Sequence, residues 1–168
     1  MVRLEGLAGT LATLRSLPVE LVSKNGGPVR AAARKALIPM MEEAKANVRR
    51  IVADPNVGGI EGESTGLLEN SITITRDSKF DFKGERMRLK VRRKAYPKSK
   101  GGKKRKSRTT VKVGALLEGG TEKMTPKPWM RPAYEKNRAG ALQIFTDELN
   151  SGIDKIVKKL ERQNRGKN

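Results

Sequence analysis

The sequence predicts an α+β fold: a small, mostly antiparallel sheet with a long basic hairpin, flanked by N-terminal helices and a long C-terminal helix. Two patterns point to it. Apolar residues recur at spacings of three and four near both ends of the chain, and they alternate one by one with polar residues in the middle. No segment repeats at the roughly 20–50-residue period of a solenoid or propeller. At 168 residues the chain suits one domain, 1–168.

Helices are expected over about 3–53. Leu4, Leu7, Leu11 and Leu14 form one stripe that Pro18 ends. After Gly26-Gly27-Pro28, whose proline suits a first helical turn, the residues Val29, Ala33, Leu37, Met40, Ala44, Val48 and Ile51 continue the helical period. Pro39 interrupts this run, and an interior proline costs about 3 kcal/mol, so a kink or two helical pieces is predicted. Glycines 58, 59 and 62 mark a loop over 54–66.

Strands and a basic hairpin are expected over 70–114. Ser71-Ile72-Thr73-Ile74-Thr75 alternates and is rich in β-branched residues; Met87, Leu89 and Val91 alternate with Arg88, Lys90 and Arg92, so the second strand has a cationic outer face. Val111-Lys112-Val113 reads as a short third strand pairing with the second across an oversized charged tip. An irregular segment, 116–130, leads to a C-terminal helix over about 131–161. Ala141, Leu142, Phe145, Leu149, Ile153, Ile156, Val157 and Leu160 form its apolar stripe, and the polar tail from Glu161 is expected to fray.

Composition excludes much chemistry. With no Cys and no His, thiol nucleophiles, disulfide frameworks, thiolate or imidazole metal sites and histidine-based catalytic dyads are removed. No apolar run approaches the roughly 18 residues of a membrane span, and the first residues lack a secretory pattern, so a soluble protein made in the cytoplasm, without membrane contact, is expected. The glycine pairs at 58 and 119 match no phosphate-cradling motif. Glu42-Glu43 and Glu61, Glu63 and Glu69 offer a metal or acid–base pair only weakly, since carboxylates on solvated faces are far commoner. No catalytic residue, cofactor or metal is expected, and the protein reads as a non-enzyme.

Charge supplies the strongest signal. The chain carries 37 Lys+Arg against 18 Asp+Glu, a net +19, and only six aromatic residues, which makes a thin core. Between Lys83 and Arg108 stand fourteen basic residues and one acid, Glu85, so +13 of the +19 lies within 26 positions. Such cations repel one another until phosphates approach and counterions are released. The contact set is Arg88, Lys90, Arg92, Arg93, Lys94, Lys98, Lys100, Lys103, Lys104, Arg105, Lys106 and Arg108. Tyr96 is the one aromatic platform among them and no Asn or Gln stands by to read adenine, so contact with DNA, or with an acidic partner, is expected to ignore sequence. A solubilising loop, a nuclear-import signal and a protein–protein electrostatic clamp are the other readings of such a run.

Four stretches, taken in order, resemble the neck or tail-completion (head–tail joining) protein family of long-tailed bacteriophages. They are Leu4-Glu5-Gly6-Leu7 with the Ala-rich run from Arg30 to Ala36, then Thr65-Gly66-Leu67-Leu68-Glu69-Asn70-Ser71-Ile72, then Leu117-Glu118-Gly119-Gly120-Thr121, and Pro128-Trp129-Met130-Arg131-Pro132-Ala133. The third departs from the family pattern at Gly119, where an aromatic is usual. The resemblance implies a virion structural protein at the head–tail junction, present in the host cytoplasm during assembly. It also implies a homo-oligomeric ring, a hexamer by analogy, seated among other connector and tail proteins around the DNA passage. Gly66, Leu67, Glu118, Thr121, Trp129, Arg131 and Pro132 would then be fold and interface determinants, and a Glu118–Arg131 ion pair is one arrangement they would allow. Trp129 reads as a core or subunit-interface anchor. The alternative, from charge alone, is a free-standing non-specific nucleic-acid-binding protein of ribosomal or nucleoid type. A nuclease, from carboxylates beside a basic patch, is a third reading.

Overall fold

The computed structural model describes residues 27–53, 66–77, 86–96 and 108–165. The expected Leu4–Leu14 helix, most of the 54–66 loop and the tip of the basic segment lie outside the described residues. The elements are α1 (Gly27–Ala36), α2 (Ile38–Ala53), a 3-10 turn (Glu69–Ser71), β1 (Ile72–Arg76), β2 (Met87–Val91), α3 (Thr110–Gly119) and α4 (Met130–Arg165). This is an α+β fold with a two-stranded antiparallel sheet and a long C-terminal helix. The chain forms two compact units. One comprises Met1–Leu37, Arg76–Met87 and Ala139–Asn168; the other comprises Ile38–Thr75 and Arg88–Arg138.

The helical run from Val29 does split into two pieces. Leu37 forms a turn between α1 and α2, and Pro39 becomes the second residue of α2, where a missing N–H leaves no helical bond unmade. Among the described residues the buried row is Ala32, Ala36, Met40, Ala44 and Val48, a strict four-residue spacing. On α1 it runs one position earlier than the predicted Val29, Ala33 and Leu37 row. In the first unit Ala32 packs with Leu149 and Ile153 of α4, and Val29 and Phe145 close around them.

The second unit holds the larger core: Ala44, Val48, Leu68, Ile72, Leu117, Trp129 and Ala133, with Leu89, Val91, Val113 and Met130 packed against it. Backbone bonds from Arg92 N to Ser71 O (2.7 Å) and from Asp77 N to Arg86 O (2.9 Å) set an antiparallel register that places Ile72 opposite Val91 and Ile74 opposite Leu89. The apolar residues of both strands thereby share one face, as the alternation predicts.

Three expectations are corrected. Val111-Lys112-Val113 is not a strand but the first turn of α3, and β2 pairs with β1 instead. Three alternating residues are too few to specify a strand. As a helix the same stretch aligns Thr110, Val113, Gly114 and Leu117 toward the core. The segment 116–130 is accordingly irregular only after Gly119. Finally, α4 begins at Met130 and runs to Arg165, one residue before and four beyond the expected span of about 131–161.

Candidate nucleic-acid interface

The outer edge of β2 begins the site. Alternation turns Leu89 and Val91 to the core and leaves Arg88, Lys90 and Arg92 exposed, spaced about 6.8 Å apart along one face of the strand. Arg93 and Lys94 follow, also exposed, and Arg108 is exposed on the returning side. Thus six of the twelve sequence-predicted contact cations are described, and all six face solvent. Lys98, Lys100, Lys103, Lys104, Arg105 and Lys106 lie outside the described residues.

What joins the two sides is a closure that the sequence reading missed. Ala95 and Thr109 form an antiparallel bridge, flanked by bonds from Tyr96 N to Arg108 O and from Thr110 N to Lys94 O, both 2.9 Å. Thr110 is fully buried, and its hydroxyl donates to Arg92 O (2.5 Å) while accepting from Lys94 N (2.9 Å). The neighbouring Thr109 hydroxyl accepts from Lys112 N and caps α3. One threonine therefore starts the helix, and the next ties its first turn to the backbone that carries Arg92, Arg93 and Lys94. A hairpin-like base does exist, but residues 94–96 and 108–110 make it, not Val111–Val113. The legible signal was the Thr-Thr pair placed just before an apolar run. Tyr96, at this base, is half-buried, and burial pushes its phenol pKa up.

A second constellation supports this base from behind. Trp129 is 2% exposed; its indole Nε1 donates to Gly114 O (3.0 Å), and its carbonyl accepts from the Asn47 side chain (2.9 Å). Trp129 is thus a core anchor. Gly114 permits the approach: a Cβ there would lie 3.3 Å from the indole and 3.4 Å from Leu68. Glu118 does not reach for the Arg131 side chain through its carboxylate bonds. Its Oε2 accepts from Trp129 N and Met130 N, each 2.8 Å, and its Oε1 from Arg131 N, 3.0 Å, so one side chain satisfies three donors at the start of α4. Burial pushes the Glu118 pKa up, but the N–H groups of Met130, Trp129 and Arg131, with the Arg131 charge, outweigh it and hold the carboxyl below its usual range.

The remaining motif residues divide between turn and surface positions. Gly66 sits at φ +60°, a conformation glycine adopts freely, and opens a turn in which Asn70 N donates to Gly66 O and Ser71 Oγ donates to Leu67 O. Leu68, not the half-buried Leu67, fills the core. Thr121 is exposed and its hydroxyl accepts from Lys123 N in a short turn. Arg131 and Pro132 are exposed in the first turn of α4. Gly119 is exposed with open space where a side chain would project, so the absent aromatic leaves no hole in the core.

Of the carboxylates weighed as a metal or acid–base pair, Glu61 and Glu63 lie outside the described residues, and the other three are engaged with cations. Glu43 binds Lys136 and Arg50, which hold its pKa down; Glu42 pairs with Lys45, and Glu69 with Arg49. Among the described residues, no group of three or more Asp or Glu is placed to hold a metal ion, and no helix is long and apolar enough to cross a membrane.

Comparisons with protein-family models, curated proteins and solved structures found no match. Function therefore rests on the residues themselves. Arranged this way, the described residues offer a row of exposed cations on a base closed by backbone bonds, with one half-buried aromatic and, among the described residues, no carboxylate cluster. Such a surface has the charge and exposure to meet phosphates.

Proposed function

We propose that this protein is a virion component of the head–tail junction of long-tailed bacteriophages, a neck or tail-completion protein that forms an oligomeric ring and contacts DNA without regard to sequence. The collinear motifs motivate the structural role. The observation that carries the DNA contact is the exposed row Arg88, Lys90, Arg92, Arg93 and Lys94, leading into a segment that adds further cations from Lys98 to Arg108. Supporting the structural role, two of the resembling stretches interlock: Glu118 of one caps the helix that begins with the Trp129–Arg131 stretch of the other. An enzyme would need reactive groups poised in a cleft, whereas Glu118 caps a helix and Glu42, Glu43, Glu69 and Glu148 pair with cations.

Two measurements test this reading. Duplex DNA affinity should fall steeply with salt and be equal for unrelated sequences; an affinity independent of salt would refute phosphate contact. Locating the chain within purified phage particles by reconstruction should show it at the neck, as a ring. The free-standing nucleic-acid-binding alternative is favoured by the cation density itself, and it predicts the protein in ribosome or nucleoid fractions instead.

A further inference from the structure

The cations of the second unit are not the only organised ones. On α4, Lys155, Lys158, Lys159 and Arg162 fall at successive spacings of three, one and three, which places all four within an arc of about 100° and over about 10 Å of helix axis. All four are exposed, and together they line one shallow surface depression. Roughly opposite on the same helix, Leu149 and Ile153 are buried against Ala32. The helix is therefore fixed to its own unit by its apolar side and presents the cationic side outward.

We infer that this stripe is a second phosphate-contacting surface, one that grips duplex DNA independently of the Lys83–Arg108 segment. Helix-end electrostatics do not account for the stripe. The favourable effect of the helix dipole on cations is confined to the last turn, and Lys155 stands ten residues before the helix end at Arg165. Internal pairing does not account for it either. Among the described residues none of the four makes an ion pair, although Asp154 lies one turn before Lys158, whereas Lys35 and Glu148 of the same unit do pair at 2.6 Å.

A duplex carries one negative charge per about 1.7 Å of axis, so a cationic row about 10 Å long meets at least as many phosphates as it has charges. From Lys155 to Arg162 there is no aromatic and no amide side chain, which suits backbone contact and not base reading. A membrane surface is the poorer fit, because an interfacial helix needs a broad free apolar face, and among the described residues Leu149 and Ile153 are buried in the core, Ile156 is half-buried and Val157 alone on that side is exposed.

The inference rests on the reading of the chain as a DNA-contacting protein, and its test separates the two. Three full-length variants are compared with the parent by duplex DNA titration at several salt concentrations. The first is Lys155→Gln, Lys158→Gln, Lys159→Gln and Arg162→Gln together; the second replaces the three lysines by Arg; the third is Lys103→Ala, Lys104→Ala, Arg105→Ala and Lys106→Ala. Glutamine is a good helix former, and circular dichroism verifies that α4 persists. The glutamine variant should lower the slope of log affinity against log salt by about 3 to 4 and weaken binding at least tenfold near 0.1 M salt, and the arginine variant should restore both. If the glutamine variant binds as the parent does while the loop variant is weakened, the stripe is not a DNA surface and the functional reading survives. Should the parent itself not bind DNA, both fall. A stripe-dependent gain of binding to phosphatidylserine vesicles, with the DNA slope unchanged, would also overturn the inference in favour of a membrane.

Discussion

The Trp129 cluster and the base of the basic segment lie in the same compact unit, yet they are held by different physics. Around Trp129, apolar burial, an indole hydrogen bond, an Asn47 amide and a triple cap from Glu118 act on the same few residues. At the base of the basic segment the described cations face solvent, and backbone bonds with the hydroxyls of buried Thr109 and Thr110 do the holding. Stability and charge are thus separated: the scaffold tolerates a dense cationic excursion because little of the core depends on it. Mutations should therefore sort by region.

The largest effect is expected from Trp129→Ala. Deleting a fully buried aromatic costs about 3–5 kcal/mol, and it would also orphan Gly114 O, so chemical denaturation should show loss of most or all of the unit's stability. A loss below about 1 kcal/mol would mean that the cluster is not the anchor described here. Thr110→Val comes next. It keeps shape but removes the hydroxyl that serves both Arg92 O and Lys94 N, at a cost of about 1–3 kcal/mol. Hydrogen exchange at the amides of Lys94, Tyr96 and Thr110 should accelerate more than at β1, which would localise the loss to the base.

Glu118→Gln should cost about 1 kcal/mol, since a neutral amide caps three N–H groups less well than a carboxylate. Its pH signature is specific. Because the folded carboxyl has a lowered pKa, its contribution is fully present above the ordinary value of about 4.3, and it is lost as pH falls through the folded value. The parent should lose stability over that acid range, and the glutamine variant should lose less. The smallest effect on stability is expected from the loop variant carrying Ala at Lys103, Lys104, Arg105 and Lys106. Its melting midpoint should match the parent within the shift expected for about 0.5 kcal/mol, while DNA affinity and assembly fall. Equal infectivity of virions with this variant would break the link between the charge and the function proposed.

Both strands and their buried faces were legible because each alternates over five residues, but their pairing with each other was not, since the second strand was assigned to pair with Val111–Val113. The break near Pro39 was legible from proline chemistry, and the cationic outer face of β2 from composition and period. Val111–Val113 misled because β-branched propensity is a weak local preference, and here the capping hydroxyl of Thr109 and the burial of Thr110, Gly114 and Leu117 outweigh it. Glu118 and Arg131 were rightly brought together, but the bond is to the backbone, a distinction no spacing of residue types encodes.

By itself, then, the sequence determined the fold class, the two strands and their faces, the helix break, and the concentration of charge, because each follows from local periodicity, proline geometry or composition. Only the tertiary structure decided that Glu118 caps α4, that Thr110 closes the base of the basic segment, and that Lys155, Lys158, Lys159 and Arg162 stay unpaired among the described residues on the outward side of their helix. Those outcomes depend on which groups far apart in the chain are brought within about 3 Å, and hydrogen bonds and burial act over that distance alone.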